Sequence, residues 1–174
     1  MRAAFASPAL TALLVATALL LSACGFQLRG SYNLPYESLF ISLPEGSVIG
    51  AGLKRQIRAS GGTRLADTMQ EAQGTFLQVS EARERQILSL STAGRVREVQ
   101  LRFRYAYRVV DPKGRVLVPT TGIELTRDVT YDDSAILAKE QEEQLLWRDM
   151  ENDLVQQLLR RLATVKPAPP PQPD

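Results

Sequence analysis

Two kinds of side chain in this sequence could do chemistry: a single thiol and a scatter of cations. Cys24 is the only cysteine, and there is no histidine. A thiol attacks as its thiolate, which a neighbouring base or a metal has to supply. Without histidine there is no Ser-His-Asp or Cys-His apparatus, and the commonest metal ligand is missing. The four lysines, Lys54, Lys113, Lys139 and Lys166, form no Ser-x-x-Lys pattern, and Gly46, Gly50 and Gly52 are not at P-loop spacing. Catalysis is therefore not expected, and no metal or cofactor is called for. The thiol must serve another purpose, and the cations are to be judged as binding groups.

The surroundings of Cys24 say what that purpose is. Arg2 is followed by an uncharged stretch, Ala9 to Leu21, and then by the small residues Ser22 and Ala23. A positive start, an apolar core and a small-residue end is the layout of a secretory signal. At about 13 residues the apolar run is short of the ~20 needed to cross a bilayer as a helix. Leu21-Ser22-Ala23-Cys24 resembles a bacterial lipoprotein signal. The resemblance implies S-diacylglycerol and N-acyl (palmitate-type) chains on Cys24 and removal of residues 1–23. The alternatives are an ordinary cleavage site followed by a chance cysteine, or a leader kept as an anchor. One acyl chain anchors marginally and two suffice, at ~0.8 kcal/mol per buried methylene. Gly25 rather than Asp follows the cysteine; by resemblance to the lipoprotein sorting rule this favours the outer membrane, on its periplasmic side.

Removing the leader from the 174 residues leaves one domain's worth of chain. Its charges nearly balance, because the 21 basic and 19 acidic residues lose only Arg2. Bulk charge gives no reason to expect nucleic acid.

The elements that must position any binding group follow in order. Residues 24–36 read as a short tether with apolar hooks at Phe26 and Leu28, because a long linker would be Gly/Ser or Pro rich. Ser38 to Leu43 reads as a buried strand stopped by Pro44-Glu45-Gly46. Val48, Leu53 and Ile57 have helical spacing and Gly61-Gly62 ends the helix. Gly74 to Leu90 is extended, but its alternation slips around Arg83-Glu84-Arg85, as a bulge or a solvent-exposed middle would cause. After the turn Ser91-Thr92-Ala93-Gly94, the residues Val99, Leu101, Phe103, Tyr105, Tyr107 and Val109 alternate with polar neighbours. Asp111-Pro112-Lys113-Gly114 turns the chain into a return strand over 115–131, broken near Pro119 and Gly122, with Ile123, Leu125, Val129 and Tyr131 on one face. Asp132-Asp133-Ser134 then caps a helix to about Val165, whose stripe is Trp147, Met150, Leu154, Leu158, Leu162 and Val165, widened by Leu146, Val155 and Leu159.

The order β-α-β-β-β-α with one-sided elements predicts an α+β two-layer sandwich, two helices on one face of a four-stranded mixed sheet over residues 37–166. A Pro-rich tail, 167–174, has no core to join.

Several stretches together resemble the LptE family of LPS-assembly lipoproteins. They are Cys24-Gly25-Phe26-Gln27-Leu28-Arg29-Gly30, Arg97-Glu98-Val99-Gln100-Leu101, Thr126-Arg127-Asp128 through Tyr131-Asp132, Leu137-Ala138-Lys139-Glu140, Asp149-Met150 and Gln157-Leu158-Leu159-Arg160-Arg161-Leu162. The order of these pieces over almost the whole mature chain carries the resemblance. It implies the same sandwich, and a non-enzymatic protein that plugs the lumen of the outer-membrane β-barrel LptD one-to-one. It also implies help in assembling that barrel and contact with lipopolysaccharide on its way to the cell surface. A polar exterior suits a plug, because the lumen of such barrels is polar.

Lipopolysaccharide is a polyanion whose phosphates favour guanidinium and ammonium donors. Lys139 matches a basic position of the family; its alternative role is an ion pair with Glu142 or Glu143. Arg95 and Arg97 flank the 91–94 turn, near which the family places a basic residue, although register puts Thr92 at that position. Arg102, Arg104 and Arg108 share one strand face and read as salt-bridged to Glu124 and Asp128 rather than as a ligand site. Phe103, Tyr105, Tyr107 and Trp147 read as core. The competing function is a structural envelope lipoprotein tying the outer membrane to another periplasmic complex; a small periplasmic hydrolase is nearly removed by the missing histidine.

Overall fold

The computed structural model describes residues 32–131 and 135–164. Cys24 and the leader, the helix cap at 132–134 and the Pro-rich tail lie outside the described residues. The elements are β1 (Ser38–Ser42), α1 (Val48–Ser60), β2 (Arg64–Leu65), β3 (Gly74–Leu90), β4 (Val96–Val110), β5 (Val116–Thr130) and α2 (Ile136–Thr164). The order and the α+β class are as the periodicity predicts. The sheet, however, has five strands rather than four, in the order β2-β1-β3-β4-β5. The extra strand is a two-residue ladder in which Ser38 and Leu39 pair parallel with Arg64 and Leu65. Two residues are too few to leave a period in the sequence.

The sheet is mixed, because β1 pairs parallel with β3 while β3–β4 and β4–β5 are antiparallel. The alternation of β4 is the backbone of the core: Val99, Leu101, Phe103, Tyr105, Tyr107 and Val109 are all buried. They face Leu53 and Ile57 of α1 and Met150, Leu154, Leu158 and Leu162 of α2 in one cluster. Each such large side chain stabilises the fold by about 1.5–3 kcal/mol. Phe76 stacks on Tyr107 at 5.3 Å, and Phe103 meets Tyr105 and Trp147 edge-on. Trp147 itself is only half-buried at the margin of the core. Leu34 and Tyr36, ahead of β1, are buried in the same cluster.

Helix α1 starts at Ser47, whose Oγ accepts the Gly50 amide at 3.0 Å, and stops at Gly61 with φ 71°. Only glycine adopts that φ without strain. Gly52 lets α1 approach α2 closely, since a Cβ there would lie 2.9 Å from a methyl of Val155.

The irregularities fall elsewhere than the sequence suggests. In β3 the register slips between Gln78 and Ser80 and again after Ile87, not at Arg83-Glu84-Arg85, which pair regularly with Phe103, Arg102 and Leu101. The exposed-middle explanation holds: Glu81 through Leu88 are almost all exposed, because β1 stops pairing at Leu77 and leaves the rest of β3 as a sheet edge. Strand β5 runs unbroken past Pro119 and Gly122, and a register shift between Val118 and Thr121 absorbs the proline. An edge strand tolerates a residue without an amide donor. Helix α2 is buried only from Met150 onward; its first half leaves Ile136, Leu137 and Leu145 exposed.

Candidate functional site

The hairpin β3–β4 and the strand β5 end together at the pole of the sheet where α2 begins. The 91–94 turn closes there with the Ser91 amide donating to the Arg95 carbonyl at 2.7 Å and the Arg95 amide donating to Ser91 Oγ at 3.1 Å. Gly94, at φ 75°, takes the left-handed position. The Tyr131 amide donates to the Arg97 carbonyl at 2.7 Å, so β5 leaves the sheet directly beside Arg97.

Tyr131 ties this pole to α2. Its hydroxyl donates to Glu143, and the Arg85 guanidinium lies 5.0 Å from its ring centroid. Arg85 Nε also reaches Glu143 at 3.4 Å. The tyrosine hydroxyl beside it, and less strongly the Glu143 charge, raise the Arg85 pKa above its ordinary value despite some desolvation. Burial, reinforced by the hydrogen bond to Glu143, pushes the Tyr131 phenol up as well. One helical turn before Glu143, Lys139 Nζ pairs with Glu142 at 2.8 Å. Of the two partners predicted for Lys139 it takes the one three residues on.

Arg95, Arg97 and Lys139 are therefore brought to one pole, with Arg85 added to them. Sequence reasoning passed over Arg85 as well as Tyr131 and Glu143 as members of this group. The available signal was the lapse of apolar alternation at Arg83-Glu84-Arg85, where two arginines stand opposite the core residues Phe103 and Leu101. Exposed apolar residues lie among the cations: Ile87, Leu88 and Leu90 at the end of β3 and Ile136 at the start of α2 are each about half exposed. Cations beside uncovered apolar surface can hold an amphipathic anion.

The opposite face of the sheet is a different surface. Arg102 reaches Glu124 at 3.5 Å and Gln86 at 3.2 Å, Arg104 pairs with Glu84, and Gln100 Nε2 donates to Asp128 at 3.0 Å. The predicted neutralisation is present, with Glu84 of β3 as an unforeseen partner for Arg104 and Asp128 used by Gln100 instead of an arginine. Ser80, Ala106 and Gly122 form one cross-strand row of small residues and leave a shallow depression between the charged side chains. This face is polar, mixed in charge and uncovered.

Among the described residues no group of acids could hold a metal ion, and no helix is long and apolar enough to cross a membrane.

Comparison with known proteins points one way. The family model described as LptE, lipopolysaccharide-assembly, matches residues 36–162, a span that includes Arg95, Arg97 and Lys139. The LPS-assembly lipoprotein LptE of Yersinia pestis (strain Pestoides F) is 28% identical over 162 residues, covering 91% of this chain and 77% of that protein. The solution structure of lipoprotein B from Nitrosomonas europaea is 38% identical with a TM-score of 0.68, over 80% of this chain and 90% of that one. A minor lipoprotein from Acinetobacter baumannii shares the fold, with a TM-score of 0.63 at 24% identity over 79% of this chain and 99% of its own.

Proposed function

The chain belongs to the LptE family of LPS-assembly lipoproteins, and from that premise we propose that it plugs the lumen of an LptD-type outer-membrane barrel and binds lipopolysaccharide there. Family membership makes it a non-enzymatic assembly factor. The finer reading assigns residues 1–23 to a leader, Cys24 to the lipid anchor, 24–36 to the tether, 37–166 to the plug and 167–174 to a tail.

The observation that carries the lipopolysaccharide reading is the pole just described. Arg85 and the backbone of Arg97 meet Tyr131, Lys139 lies one helical turn before the Glu143 that Tyr131 bonds, and Ile87, Leu88, Leu90 and Ile136 are left about half exposed. Phosphates meet the cations and acyl chains meet the apolar residues, which fits one ligand carrying both. Tyr32, at the start of the described residues, donates its hydroxyl to Gln156 at 2.8 Å, about 26 Å further along α2 from Lys139 at ~1.5 Å per residue.

The charged sheet face suits a polar barrel lumen, since its own ion pairs leave it hydrated and mixed in sign. Replacing Lys139 and Arg95 together by glutamate is expected to weaken lipopolysaccharide binding and leave the barrel complex intact. Unchanged affinity would remove both residues from the site. A photocrosslinker placed along Arg102–Arg108 is expected to capture the barrel wall; crosslinking to a different envelope protein would favour a structural tether instead.

A further inference from the structure

The first half of α2 holds two ion pairs that differ in how firmly their acid is fixed. Glu143 is anchored: its side chain is 20% exposed, it accepts the Tyr131 hydroxyl, and it also meets Arg85. Glu142 is not: its side chain is 47% exposed, and its one described partner is Lys139 Nζ at 2.8 Å. Lys139 is the fixed member of that pair, with its side chain 20% exposed. An exposed carboxylate on a flexible stem, bonded to a largely enclosed lysine, can rotate into water at small cost, because a pair with an exposed partner is worth only a few tenths of a kcal/mol to about 1.

Resting on the reading that Lys139 meets a lipopolysaccharide phosphate, we infer that Glu142 is an intramolecular substitute for that phosphate. It occupies the ammonium in the empty site and must leave when the ligand arrives. The device has a consequence for selectivity. A weakly charged or singly bound anion gains one contact at Lys139 and loses the Glu142 pair, so it binds with little advantage. A ligand that also engages the neighbouring guanidiniums and the apolar residues recovers the lost pair several times over. Glu143 has a separate role, holding the Tyr131–Arg85 scaffold on which the pole is built, and is not displaced.

The test compares full-length protein, its Glu142→Gln variant, and a control on the same helix half, Glu140→Gln. The probes are purified lipid A carrying both phosphates and the same lipid enzymatically stripped of phosphate. Glu142→Gln is expected to bind phosphorylated lipid A about two- to five-fold more tightly, the range a lost exposed pair implies, with no change for the stripped lipid. Adding Lys139→Gln should erase the gain. An equal gain in Glu140→Gln would mean a bulk-charge effect and overturn the inference, as would no gain in Glu142→Gln while Lys139→Gln still weakens binding. If Lys139→Gln leaves affinity for phosphorylated lipid A unchanged, the parent reading of the site fails, and the inference with it.

Discussion

Arg83 on β3 donates to Glu151 on α2 across 2.7 Å, and the same guanidinium lies 4.9 Å from the ring centroid of Phe103 and 5.7 Å from that of Trp147. Glu151 is only 8% exposed, a buried acid on a helix otherwise packed by leucines. One side chain thus supplies the acid's counter-charge, covers two aromatic rings and joins the uncovered edge of the sheet to the long helix. Further along the same strand, Arg85 repeats the arrangement with Glu143 and Tyr131. The first half of α2 and its midpoint are therefore tied to the sheet by cations in addition to the packing of Leu146 and Trp147 at the core margin.

Removing Arg83 while keeping Glu151 should be costly. Breaking a fully buried pair costs ~3–5 kcal/mol, and the partly exposed arginine reduces this, so Arg83→Ala should lose about 2 kcal/mol in urea unfolding. Glu151→Gln should lose less, and Arg83→Met with Glu151→Leu should recover part of the loss because no charge is left stranded. A loss in Arg83→Ala below about 0.5 kcal/mol, the size of an ordinary surface change, would contradict this.

Gly52→Ala should drive α1 and α2 apart, because its new methyl would meet Val155 at 2.9 Å. Overpacking of this kind costs about 1–3 kcal/mol. Val155→Ala makes room, so the double variant should lose less than the two single losses together in a thermal-unfolding cycle. Strict additivity would show that the close approach is not what Gly52 provides.

Much of this architecture was legible in the sequence. The period-2 run of β4 and the 3.6-period stripe of α2 each exceed the length at which a pattern becomes unambiguous, and both core faces fall where those patterns put them. What stayed hidden depends on pairing partners distant in sequence. The two-residue β2 has no pattern to show, and the arginines of β3 look misplaced until Glu143 and Glu151 stand opposite them. The same limit applies to the site. Arg95, Arg97 and Lys139 were visible as cations, but the tyrosine and glutamates that gather them belong to contacts only the fold creates.

The tyrosines make the fold sensitive to alkali. Burial raises the phenols of Tyr36, Tyr105, Tyr107 and Tyr131, Tyr36 from 10.0 to about 12. Below the unfolded value these groups are neutral in both states and add no pH dependence. Above it the unfolded chain ionises first, so folding stability should fall as pH rises from about 10 towards 12. Denaturant midpoints followed across that window, with tyrosinate absorbance, would show it. A flat midpoint to pH 12 would contradict the burial assigned to these rings.

The most direct measurement is the mass of the complex isolated from outer membranes through a tag on this chain, without crosslinking. The expected result is one copy of an LptD-type barrel per copy of this protein, with Cys24 as the first residue and carrying diacylglycerol and an amide-linked acyl chain. A chain recovered without fatty acid and without a barrel companion would contradict the assignment as a lipid-anchored plug.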